Sequence, residues 1–225
     1  TFTTEKMKSG ILTAFILVSL ASTSMQVNMF SAMSQALGFT KIEDPTYTVV
    51  EPLSRNAEVR TYTSSKWVTT TFATKPRDIK SKTRTNFYKL FSYIGGNNNM
   101  NKEISMTAPV TMSMKANGQS LINMDSDVTA TMGFFVPKAM GNDVPTPNDD
   151  TVKIESIGQQ TVASIRFSGW ASMTDNLKYR DELISLLGDK ADLYDTVNFV
   201  TAGYDAPFKF FNRRNEVWLV MKPKQ

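Results

Sequence analysis

The chain has 225 residues, 25 basic and 21 acidic side chains, a net charge of +4 and 41% hydrophobic residues. It has neither cysteine nor histidine, which excludes disulfides, thiolate or imidazole metal ligands, a cysteine nucleophile and any Ser-His-Asp triad. The cations are scattered, so no nucleic-acid-binding face is expected, and the length suits one compact domain with extensions.

At the N-terminus, Met7-Lys8 precedes the apolar run "ILTAFILVSLA" (11–21), followed by small residues. The pattern predicts a signal peptide over 1–24, cleaved after Ala21 or Ser24, with residues 1–6 standing upstream of the expected initiator Met7. The protein would then be secreted or lumenal. The run is short for a membrane span, and no stable span is expected after cleavage. The other reading of this run is an N-terminal helix that packs or anchors. Residues 25–46 are weakly patterned and read as an N-terminal arm.

The main domain is expected over 47–225. Its first unit, 47–136, opens with two strand-like runs, "AEVRTYTSS" (57–65) and "KWVTTTFAT" (66–74), rich in β-branched and aromatic residues. Over 75–96, Phe87, Leu90, Phe91 and Ile94 recur at helical spacing after Pro76, and Gly95-Gly96 ends the run. Met106, Ala108, Val110, Met112 and Met114 then alternate with polar residues, as do Val128, Ala130, Met132, Phe134 and Val136. Each predicts a strand with one buried face. A Pro/Gly/Asn/Asp-rich linker covers 137–150.

The second unit, 151–225, repeats the order. Strands are expected at 152–158 and 160–169, a helix at 172–190 ended by Gly188, and strands in "DTVNFVTAGYDAPF" and "NEVWLVMK". Ala108-Pro109 and Ala206-Pro207 follow Phe72 and Phe167 by similar distances. Proline cannot donate a ladder hydrogen bond, so each Ala-Pro should mark an edge, a bulge or a bend. The fold class expected is α+β: a duplicated β-β-α-β-β unit forming a curved eight-stranded sheet or distorted barrel with two flanking helices.

The segments "EVRTY" (58–62), "KWVTTTF" (66–72), "FYKLFSYIGGNN" (87–98), "MTAPVT" (106–111), "VKIE" (152–155) and "TAGYDAPFKFFNRRNEVWL" (201–219) resemble the SOUL/heme-binding protein family, in its heme-binding protein 2 branch. The likeness runs from Tyr47 to Lys222. It implies two pseudo-symmetric β-β-α-β-β repeats, akin to effector-binding domains of some bacterial regulators. It also implies non-covalent binding of heme or a related tetrapyrrole, with no established catalysis. Some relatives in this branch carry a histidine, regarded as an axial heme ligand, at the position held here by Thr61. With no histidine or cysteine in the chain, Tyr phenolate, Met thioether or Lys amine remain as candidate iron ligands. The sequence fits better the histidine-independent mode that other family members imply, in which an apolar groove holds the macrocycle and cations meet its propionates.

That groove maps onto Arg84, Phe87, Leu90 and Phe91, with Lys209 as a second cation. On residue type alone, Phe87, Leu90 and Phe91 serve equally as core. Arg84 serves as a solvated surface charge, and Lys209 as a snorkelling surface residue. Arg213 and Arg214 are expected to tie the last loop to Asp205 or Glu216. Trp67, Trp218 and the strand methionines are expected to fill the core. Three functions follow: a tetrapyrrole carrier or scavenger, a protein-interaction or structural module that kept the fold and lost heme, and an enzyme. The last is disfavoured because no carboxylate pair is placed for acid–base work.

Overall fold

A computed structural model describes residues 42–118, 122–205 and 209–223. The expected signal peptide, most of the arm and the Ala206-Pro207 pair lie outside the described residues. In chain order the elements are β1 (Tyr47–Pro52), β2 (Ala57–Tyr62), β3 (Ser65–Thr74), α1 (Ile79–Ile94), β4 (Val110–Ala116) and β5 (Val128–Phe135). Then come β6 (Val152–Ile157), β7 (Gln160–Phe167), α2 (Met173–Leu187), β8 (Phe199–Gly203) and β9 (Asn215–Val220).

The described strands form one antiparallel sheet in the order β1-β2-β7-β9-β8-β4-β5-β3-β6. It has nine strands, not the eight expected. The extra strand, β1, reads "YTVVEP" with no period-two alternation, exposes Val49 and Val50, and slips register against β2 between Val49 and Glu51. The first expected alternating run also begins later than its pattern. Ile104, Met106 and Ala108 precede the ladder, and Ala108-Pro109 forms the bend that leads into β4.

Setting β1 aside, the order contains the duplication. Exchanging β2 with β6, β3 with β7, β4 with β8 and β5 with β9 returns the same list read backwards. The pseudo-twofold therefore passes between β8 and β4. The helices obey it too: α1 packs on β3 and β5, and α2 on their counterparts β7 and β9.

Two short links then dictate the curl. Thr63 and Ser64 alone join β2 to β3, although five strands separate them in the sheet. Gly158 and Gln159 join β6 to β7 across five others in the same way. Such a link spans at most about 11 Å. The sheet must therefore roll until its two ends meet at these corners.

Both helices lie on one face of the sheet. Leu90, Phe91 and Ile94 of α1 and Leu183 and Leu187 of α2 pack there against Val68, Met112, Met132, Phe134, Ile165 and Val217. Burying one such side chain contributes about 1.5–3 kcal/mol. α2 starts at a capping box in which the Ser172 hydroxyl accepts from the Asp175 amide (3.1 Å) and the Asp175 carboxylate accepts from the Ser172 amide (2.9 Å). α1 follows a 3-10 turn at Pro76–Asp78 and stops at Gly95, with Gly96 at φ +102°. The helix-free face is buried as well, at Arg60, Tyr62, Trp67, Thr69, Phe135, Glu216 and Trp218. What covers it is the curl of the sheet. No helix among the described residues is long and apolar enough to cross a membrane.

Candidate functional site

The helical repeat of α1 brings Phe87, Leu90 and Phe91 together on its core side. Leu90 is 0% and Phe91 5% exposed. Phe87 is half-buried, stacked on Phe91 (centroids 5.7 Å apart, planes 16°) and edge-on to Phe134 of β5 at 5.2 Å. Arg84, one turn earlier, is exposed, with its guanidinium 5.9 Å from the Tyr88 ring. The accessible part of this constellation is thus Arg84, Tyr88 and the outer edge of Phe87, with Leu90 and Phe91 as a floor beneath.

Lys209 sits elsewhere, in the β8–β9 connection. Its ammonium lies 2.5 Å from the Asp205 carboxylate, and no hydrogen bond or ion pair joins it to α1 among the described residues. Arg213 donates to the Lys209 carbonyl (2.7 Å) and the Asp205 carbonyl (3.1 Å), and its guanidinium lies 4.3 Å from the Trp170 ring. Phe210 stands edge-on to Trp170 at 6.2 Å, and Phe211 is 83% exposed. Both cations thus have partners within the loop, beside the exposed rings of Trp170 and Phe211.

Behind this loop runs a polar network. Asp205 accepts from the Arg214 amide. Arg214 lies 3.7 Å over the Tyr204 ring and donates through Nε to Glu216 Oε1 (2.8 Å). Glu216 Oε2 accepts from Trp218 Nε1 (2.7 Å), Tyr204 Oη (3.1 Å), Ser164 Oγ (3.3 Å) and Arg60. The expectation that Arg213 and Arg214 tie the loop to the carboxylates of Asp205 or Glu216 is met by Arg214 on Glu216, while Arg213 bonds the backbone carbonyls of Asp205 and Lys209. Burial opposes the charge on Glu216, but Arg60 and Arg214 outweigh it and hold its pKa below the ordinary carboxylate value. Burial pushes the Tyr62 and Tyr204 phenols up.

Sequence reasoning missed Arg60. Its guanidinium lies among the rings of Tyr47 (4.6 Å), Tyr62 (5.4 Å) and Trp218 (5.5 Å). The alternation Glu58, Arg60, Tyr62 reads as a solvent face. The contrary signal was the unbroken "VWLV" of β9, which marks a strand buried on both sides.

Sequence reasoning also missed a pocket of about 490 Å³ at the corners where the sheet ends meet. Thr63, Ser64, Ser65 and Lys66 line it, with Ser156, Ile157 and Gly158 from the β6 side and Phe135, Val136 and Pro137 from the β5 side of β3. Its residues come from turns far apart in the chain, so no local pattern announces them. Among the described residues, no group of three or more acidic side chains gathers as a metal site.

A rolled antiparallel sheet with a pseudo-twofold and two helices on one face is a fold with known relatives. An uncharacterized conserved protein from Listeria innocua matches it with a TM-score of 0.50 at 10% identity, over 74% of this chain and 92% of that one. EcmrR, in a cryo-EM complex with DNA, matches with a TM-score of 0.51 at 13% identity, over 87% and 65%. These likenesses concern the fold alone. In sequence, the chain is 35% identical over 171 residues to heme-binding protein 2 of Homo sapiens, covering 76% of this chain and 80% of that one. It is 31% identical over 163 residues to heme-binding protein 1 of Xenopus laevis, covering 72% and 82%. Residues 42–220 match the SOUL heme-binding protein family. The chain belongs to that family.

Proposed function

We propose that this protein binds heme or a related tetrapyrrole non-covalently, as a carrier or scavenger, along α1 and without histidine ligation. Membership of the SOUL family over 42–220 is the observation that carries the reading. The donor set supports the histidine-free mode. The 225 residues offer no imidazole or thiolate. Burial displaces the phenols of Tyr62, Tyr93, Tyr194 and Tyr204 upward, Tyr93 to about 12, so these groups stay protonated and poor as iron ligands. Met112 and Met114 are enclosed in the core. These enclosed groups are poor iron ligands, which leaves Tyr88 as the phenol beside the proposed macrocycle and favours a ring held by apolar contact and ion pairs.

In this reading Phe87 and Tyr88 contact the ring over the floor of Leu90 and Phe91, and Arg84 takes a propionate. Lys209 supplies a second cation by exchanging Asp205 for the ligand. A partly exposed ion pair of this kind contributes only about 0–1 kcal/mol, so the exchange costs little. A charge-assisted hydrogen bond to a propionate contributes about 1.5–3 kcal/mol. The apolar run 11–21 supports a secreted or lumenal location.

Hemin titration followed at the Soret band tests the proposal. A saturable band is expected, weakened roughly tenfold or more by Arg84→Ala and by Lys209→Ala. Absence of saturation in the unmodified protein would overturn it. The enclosure of Leu90 and Phe91 and the existing Lys209–Asp205 pair favour a second reading, a protein-interaction or structural module that has lost heme. A partner recovered from the native compartment, alongside a null hemin titration, would establish that alternative.

A further inference from the structure

The pocket at the meeting of the sheet ends has a chemistry of its own. Lys66 donates to the Gly141 carbonyl (2.8 Å) and Asn142 Oδ1 (3.1 Å), and Lys138 donates to Thr46 Oγ1. All three acceptors are neutral. Among the described residues neither ammonium forms an ion pair; the Glu43 carboxylate accepts from the Lys138 backbone amide (3.0 Å) instead. Ser65 Oγ accepts from Trp67 Nε1 (3.0 Å), which leaves its own proton free to donate. Ser64 and Ser156 line the same space, as do Phe135, Val136, Pro137 and Ile157. The volume falls within the range of small-molecule sites, and the mouth of a rolled sheet is a recurrent place for them.

We propose that this pocket binds a small amphipathic anion, a carboxylate or phosphate group carried on an apolar body. Lys66, Lys138 and the serine hydroxyls receive the head, and Phe135 and Ile157 receive the body. Lys66 is bonded to the Lys138–Met140 turn through Gly141, so the two cations are held on one side of the opening. Its lining residues are not those of the α1 groove, and the site does not rest on the tetrapyrrole reading.

The test uses the full chain, isotopically labelled, titrated with phenyl phosphate, phenylacetate and the neutral benzyl alcohol. Both anions should give saturable amide shifts at Ser65, Lys66, Lys138, Ser156 and Gly158, and the alcohol should not. Added salt should weaken the anion response. The double variant Lys66→Gln/Lys138→Gln should lose at least tenfold in anion affinity while its remaining spectrum and its hemin titration stay unchanged. Equal response to the alcohol, or unchanged anion affinity in the double variant, would overturn the site. Loss of hemin binding in the double variant would overturn its independence from the groove. Because the probes report on the pocket directly, a null hemin result leaves this test intact.

Discussion

Arg60 of β2 and Glu216 of β9 are bonded charges on strands that are not neighbours: Ser164 of the intervening β7 touches both. Arg60 is 1% and Glu216 2% exposed. Removing Glu216 leaves buried Arg60 with only Glu58, at 3.7 Å, as an ion-pair partner among the described residues, whereas removing Arg60 leaves Glu216 paired with Arg214. Glu216→Leu should cost about 3–5 kcal/mol, and Arg60→Met less. Arg60→Met/Glu216→Leu should cost less than the sum of its singles. Urea unfolding of the four proteins measures the coupling, and additive losses would mean the charges act separately.

The same carboxylate sets a pH dependence. Its folded pKa lies below the unfolded value. The associated stability is complete above the ordinary carboxylate range and is lost as pH falls through the folded pKa. Glu216→Gln should therefore lower stability at pH 7 but flatten its decline between about pH 5 and pH 2. Unfolding midpoints across that window would show it, and parallel curves would refute it.

Asp205 and a ligand anion compete for Lys209. Asp205→Asn keeps an acceptor for the Arg214 amide but removes the charge. Hemin affinity should rise several-fold in Asp205→Asn, and the gain should vanish when Lys209→Ala is added. A gain that survives the second change would assign it to something other than Lys209.

Leu90 and Phe87 should separate the floor from the contact surface. Leu90→Ala should cost about 2–5 kcal/mol of stability and leave hemin affinity nearly unchanged in the folded protein. Phe87→Ala should weaken hemin binding more than its stability loss explains. Identical behaviour of the two variants would place the macrocycle away from α1.

The Thr61 hydroxyl shares a 2.8 Å hydrogen bond with Thr161. Thr61→His puts the first imidazole into a chain that has none. With hemin present, a red-shifted, sharpened Soret band should appear only in this variant. An unaltered spectrum would place the iron out of reach of β2.

The order of elements was legible because the strands are rich in β-branched and aromatic residues and some alternate cleanly, as Val128 to Phe134 does. The amphipathic spacing of α1 and the glycines after it were equally plain. β1 was not, since exposed Val49 and Val50 break the alternation. Of the candidate site, Phe87, Leu90 and Phe91 were readable as a cluster, but helical spacing cannot tell a groove wall from its floor; burial decided that. Arg60 escaped because a charge in a strand reads as solvent-facing unless the opposite face is also known to be enclosed. The pocket lysines escaped because it is the long-range β3–β5 ladder, which sets Lys66 opposite Val136, that brings Lys66 near Lys138.

By sequence β2 belongs to the first half, yet its ladders run only to β1 and β7. β6 likewise belongs to the second half and bonds only to β3. Each half lends the other a strand, so neither is a finished molecule when cut free. Two identical halves meeting in solution could complete one another by the same loan. The 136–151 connection turns that encounter into an event within one polypeptide, independent of concentration.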